Sequence, residues 1–153
     1  YCKSHAVWKC PGDRSTSTHG GQTLSRVRSV SMNSWLEAGR LFESPGYRVI
    51  KKTSQMTHPG PAMTWVLIDE REDSIDDGYF AVFMTEVPAS LKLVNYPGNY
   101  HNRASGLAFA DGHSEIKKWR DKNLIAATGI PTAVDPNYKA DLIWMIERVG
   151  DAK

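Results

Sequence analysis

His101, Asp111 and His113 are the residues of this chain best suited to do chemistry together. They lie in the stretch His101-Asn-Arg-Ala-Ser-Gly-Leu-Ala-Phe-Ala-Asp-Gly-His-Ser-Glu-Ile-Lys-Lys-Trp119. Two imidazoles and a carboxylate, with Asp69 or Glu70 as a further ligand, form a donor set that suits zinc, manganese or iron. The plainer alternative is a fold brace. Nine residues separate His101 from Asp111, enough for the backbone to turn back and pair the two side chains. A partly buried hydrogen bond of that kind contributes on the order of 1–3 kcal/mol. Both readings stand at this point.

A second concentration of oxygen donors is Asp69-Glu70-Arg71-Glu72-Asp73-Ser74-Ile75-Asp76-Asp77-Gly78, with six carboxylates and one arginine. Such a run suits calcium, which takes six to eight oxygens. Asp69, Glu70, Asp73, Asp76 and Asp77 are the candidate ligands. The run is not an EF-hand. With Asp73 at position 1, Asp77 and Gly78 fall correctly, but Ile75 and Met84 occupy positions 3 and 12, where oxygen is required. The competing reading is a solvated loop whose Asp and Ser side chains bond nearby backbone amides.

Other chemistries find less support. Ser105 lies in Arg-Ala-Ser-Gly-Leu rather than a G-x-S-x-G elbow. Neither a G-x-x-x-x-G-K-[ST] nor a G-x-G-x-x-G loop is present. Lys117, Lys118, Arg120 and Lys122 surround Trp119, a pattern that could stack on nucleic acid but reads more simply as a solvated strand edge that discourages aggregation. Trp8 and Trp35, if exposed, could stack on a sugar ring, whereas tryptophans in strands and helices are more often core.

The elements that must position these groups follow from pattern. Asp111-Gly112 predicts a two-residue hairpin turn with positive φ at both positions. Thr64-Trp-Val-Leu-Ile-Asp69 and Tyr79-Phe-Ala-Val-Phe-Met-Thr85 read as strands, with shorter elements at Val30 to Leu36 and Tyr47 to Ile50. Residues 11–30 carry Pro, Gly, Ser and Thr without periodicity and read as a surface loop. Leu142, Ile143, Met145, Ile146 and Val149 form an amphipathic helical stripe, capped by Asp135 or Asp141 and stopped at Gly150. The expected fold is α+β, an antiparallel sheet with a C-terminal amphipathic helix.

At 153 residues the chain predicts a single domain, residues 1–153, able to bury a core without metal or disulfide. A net charge of +2 gives no reason to expect a nucleic acid or anionic membrane as partner. The longest apolar runs, Tyr79-Phe-Ala-Val-Phe-Met84 and Leu142-Ile-Trp-Met-Ile146, are far short of a membrane span. A start on Tyr1 suggests a fragment or processed chain.

His101, Asp111 and Gly112 also carry a resemblance. A histidine, nine residues and Asp-Gly is the H-X9-DG signature of bacterial prepilin-like proteins, and Val66-Leu-Ile-Asp-Glu-Arg-Glu-Asp-Ser-Ile-Asp-Asp-Gly-Tyr-Phe80 is similar to a stretch of one branch of that family. Cys10-Pro-Gly-Asp13, Ser31-Met-Asn33, Pro88-Ala-Ser90, Tyr100-His-Asn102 and Ala110-Asp-Gly-His-Ser-Glu-Ile116 are similar too, so the resemblance spans nearly the whole chain. It implies the globular head of a type IV pilus or type II secretion pseudopilin-like protein, periplasmic or at the cell surface. An N-terminal hydrophobic helix, absent from this chain, would anchor it in the inner membrane or a filament. Its partners would be other pilin-like subunits or secretion components, and its role non-enzymatic. The rival reading is a cation-dependent enzyme or carbohydrate-binding module using the acidic loop with His101, Asp111 and His113.

Export bears on Cys2 and Cys10, the only cysteines. Seven residues lie between them, and Pro11-Gly12 follows, so a small looped disulfide is possible and is the default in an oxidising compartment. The alternatives are two free thiols or a zinc site of Cys2, His5, Cys10 and His19, whose spacing fits none of the usual paired patterns.

Overall fold

Trp65–Asp69 is the strand around which the molecule is assembled, because its β-branched and aromatic residues have partners on both edges. A computed structural model describes residues 3–36, 46–82, 84, 93–125 and 136–152. In chain order the strands are β1 (Thr16–His19), β2 (Gln22–Ser25), β3 (Val30–Asn33), β4 (Tyr47–Arg48), β5 (Trp65–Asp69), β6 (Tyr79–Phe80), β7 (Ala104–Phe109), β8 (Ser114–Lys118) and β9 (Asp151–Ala152). Helix α1 (Lys122–Ile125) follows β8, and α2 (Pro136–Ile146) precedes β9. The main sheet has the order β6-β3-β5-β7-β8. Its pairings are antiparallel except β3 with β6, which is parallel. Two small antiparallel pairs, β1–β2 and β4–β9, complete the strands. The fold is α+β, as the sequence predicts.

The core follows from alternation. Ile68 of β5 pairs with Leu107 of β7, and both are buried with Trp65, Phe109, Phe80 and Trp35. Leu142 and Met145 of α2 and Val149 just beyond it pack against this face. Burying each such side chain stabilises by roughly 1.5–3 kcal/mol. Ile143 of the predicted stripe instead faces outward. The end of the helix is tied to the sheet by backbone and amide bonds. The Trp65 N–H donates to the Arg148 carbonyl at 3.1 Å, and Asn33 Nδ2 donates to the Trp65 and Val149 carbonyls at 3.0 and 2.8 Å.

Several local expectations are corrected. Residues 11–30 are not all loop, since β1 and β2 form a hairpin over Gly20-Gly21, both with positive φ. The predicted strand from Tyr79 pairs only through Phe80 before an isolated bridge at Val82, and residues 83 and 85 lie outside the described residues. Asp141 does not cap α2. It lies inside that helix and accepts the backbone N–H groups of Arg120 and Asp121 at 2.7 and 2.9 Å, with Lys117 Nζ at 3.3 Å. Asp135, the other candidate cap, lies outside the described residues.

Candidate functional site

The end of β5, the loop before β7 and the N-terminal segment meet at one point. Asp69 closes β5, and its carboxylate reaches across to β7, where the Gly106 N–H donates to Oδ2 at 2.9 Å. Gly106 leaves the space for this: a Cβ there would lie 3.0 Å from the same oxygen. His101 is set by the turn into β7. Asn102 and Arg103 have φ of 54° and 67°, a left-handed pair that few non-glycine residues adopt, and the His101 N–H donates to the Ala104 carbonyl at 3.2 Å. Cys10 is held by its own N–H to Ser29 Oγ at 2.7 Å and receives the Gly12 N–H on Sγ at 3.3 Å.

These three side chains converge. Cys10 Sγ is 3.1 Å from His101 Nε2, and Asp69 Oδ2 is 3.5 Å from the same nitrogen. Thiol, imidazole and carboxylate all lie within 4.8 Å of one another, the one group of potential metal ligands of this kind among the described residues. The geometry is not a nucleophilic relay, which requires base and orienting carboxylate on opposite ring nitrogens. Here both approach Nε2. Burial, reinforced by the Asp69 and Asp13 charges, pushes the Cys10 thiol up, opposite to an activated cysteine. Burial also raises Asp69, against the lowering pull of the Gly106 N–H and His101.

The acidic run is dispersed. Glu70 is fully buried and accepts bonds from Ser31 Oγ, from Ser74 Oγ at 3.1 Å and from Asn95 Nδ2 at 2.7 Å. Burial outweighs these donors and raises its carboxyl to about 7. Asp73 pairs with the buried Arg71 at 2.5 Å, whose guanidinium lies 4.5 Å from the Tyr96 ring centre. Glu72 accepts the Tyr100 hydroxyl at 2.9 Å. Asp76 and Asp77 accept the N–H groups of Asp77 and Tyr79 at 2.8 and 2.7 Å. Each carboxylate thus has its own donor, and the five calcium candidates share no common point. Of them, Asp69 alone joins a chelating group, with Cys10 and His101 rather than with its neighbours.

His101 and Asp111 do not pair. They stand at opposite ends of β7, whose six residues span about 17 Å at roughly 3.4 Å per residue. His101 finds its aspartate in Asp69, while Asp111 Oδ1 bonds His113 Nδ1 at 2.6 Å and is held low by it. The His113 ring stacks on Phe109, 4.3 Å between centres. A joint His101/Asp111/His113 site is therefore not formed. The turn also differs from the two-residue form. Gly112 donates to the Phe109 carbonyl at 3.0 Å and Phe109 to the His113 carbonyl at 2.9 Å, with Gly112 at φ 95° and Asp111 not at positive φ. That is a three-residue loop with a glycine bulge.

Cys10 carries a free thiol, so the Cys2–Cys10 disulfide is corrected on the Cys10 side, where the sulfur is engaged by His101; Cys2 lies outside the described residues. Trp35 is buried, its Nε1 donating to the Val82 carbonyl at 2.9 Å, so it cannot pair with the exposed Trp8 as a sugar platform. Trp119 is buried too and donates to Ser105 Oγ at 2.8 Å, while that hydroxyl bonds the Gly98 carbonyl. This removes a stacking face from the basic cluster and a nucleophile from Ser105. Sequence reasoning misses the Cys10–Asp69–His101 convergence because its members come from three distant segments. It also misses the bracing roles of Asn33, Asn95 and Asp141. Comparison with protein-family models, with curated proteins and with solved structures gives no match.

Proposed function

We propose that this chain is the head of a pilin-like or pseudopilin-like protein, working at the periplasmic or cell surface through subunit contacts rather than through catalysis. The observation that carries this reading is the use of the signature residues inside the molecule. His101 joins the N-terminal segment to the end of β5. Asp111 and Gly112 build the turn at the far end of the strand that follows. A motif whose parts close two ends of one strand is a folding device. Function then falls to the outer surface, where Leu24, Val27 and Ile116 are exposed apolar side chains available to neighbouring subunits. The rival cation-dependent enzyme or carbohydrate-binding module needs the acidic loop, His101, Asp111 and His113 in one place, whereas β7 holds Asp111 and His113 away from His101 and Asp69.

Fractionation of the source cells tests this, using antibodies against the chain and chemical crosslinking before lysis. The reading expects the chain in the envelope or in the sheared surface fraction, crosslinked to copies of itself or to other pilin-like subunits. Recovery solely from the cytosol, uncrosslinked, would overturn it.

A further inference from the structure

The convergence of Cys10, Asp69 and His101 calls for a cation more specific than the calcium that the acidic run suggests. We propose that Cys10 Sγ, Asp69 Oδ2 and His101 Nε2 bind one zinc ion, with water at the fourth position, and that the ion fastens the N-terminal segment to the β5–β7 edge of the sheet. Sulfur, nitrogen and a single carboxylate are the donors zinc prefers in tetrahedral sites, whereas calcium takes oxygen. The separations of 3.1 and 3.5 Å around Nε2 are close to those that ligands at 2.0–2.3 Å from a tetrahedral ion impose on one another.

The surroundings support the same assignment. Two of the three ligands already have the supporting hydrogen bonds that orient metal ligands: Gly106 N–H to the carboxylate and Gly12 N–H to the sulfur. On the sulfur side, Cys10 lines a cavity of about 570 Å³. Asp13 lines the same cavity. It is only 4 % exposed, yet its Oδ2 is buried with no hydrogen-bond partner. That oxygen is a buried acceptor still open to a donor or cation in a cavity that Lys9 and Arg26 also line. Binding exchanges the thiol proton for the metal and releases that proton to solvent.

Cobalt(II) titration of chelator-treated protein tests the site without any variant, because thiolate coordination gives an intense near-ultraviolet charge-transfer band that oxygen and nitrogen ligands do not. Competition with zinc, followed by calorimetry, then gives stoichiometry and affinity. The proposal expects one equivalent and a charge-transfer band that survives Cys2→Ser and His113→Ala. Cys10→Ser should abolish the band, and His101→Ala should weaken zinc by more than about 100-fold, the upper end of what loss of a mere supporting bond costs. Absence of the band in the unsubstituted protein would overturn the site, as would a band that depends on Cys2 or His113 and persists without Cys10.

Discussion

Glu70 shows what a single buried residue does to the behaviour of the whole chain. Its carboxyl rises from 4.5 to about 7 on folding, chiefly through burial, so between those values the native state holds a proton that the unfolded chain releases. This contribution is fully present below about pH 4.5 and is lost as pH climbs through about 7. At 1.4 kcal/mol per unit it amounts to about 3 kcal/mol. Urea denaturation at pH 5 and pH 8 should give a lower midpoint at the higher pH, and Glu70→Gln should remove most of the difference. Asp69, also raised by burial, adds a residual effect of the same sign. An unchanged pH difference in Glu70→Gln would refute this assignment. Glu70→Ala is a separate matter. It leaves the Ser31 hydroxyl and one Asn95 N–H without Glu70 as acceptor in the interior and should cost about 2 kcal/mol or more at pH 5, with a smaller cost at pH 8. Gly106→Ala acts on the neighbouring carboxylate. The new methyl would meet Asp69 Oδ2 at 3.0 Å, so the expected outcome is a lower melting temperature and loss of protection of the residue 106 amide in hydrogen exchange.

At the scale of elements, the β7–β8 hairpin separates conformational from contact effects. A Cβ on Gly112 meets nothing within 4 Å, yet φ is 95° there. Gly112→Ala should therefore destabilise by about 1–2 kcal/mol through backbone strain alone. A neutral result in thermal melts would mean that the turn relaxes to another form. Asp141→Ala should cost more, since it leaves the Arg120 and Asp121 N–H groups unsatisfied where β8 runs into α1. What is legible in the sequence follows the same physics. β5, the β7–β8 hairpin and the C-terminal helix are legible because each pairs a strong apolar pattern with a recognisable stop. The β1–β2 hairpin is not, because its residues are largely exposed on both faces and no alternation marks it. The Gly20-Gly21 pair is the available signal. Asp141 reads as a cap from its position ahead of an apolar stripe, but its carboxylate serves a different helix start, which only tertiary structure decides.

For the whole molecule, polar residues from distant segments do the joining. Asn33 links β3 to β5 and the end of α2, Asn95 links Ala81 to Glu70, and His101 links Cys10 to Asp69. The candidate residues of the site can be named from sequence one by one, but not their grouping. Direction reverses at each residue of a strand, so Asp69 and Glu70 face different neighbours, and a six-residue strand turns two signature residues that look like partners into separate devices. A double-mutant cycle on His101→Ala and Asp111→Ala, read by urea denaturation, tests that separation most directly. Both single changes should destabilise, and their effects should add to within about 0.5 kcal/mol, as for residues with no shared partner. A coupling well above about 1 kcal/mol would mean that His101 and Asp111 act as one site after all, and would contradict their separation by β7.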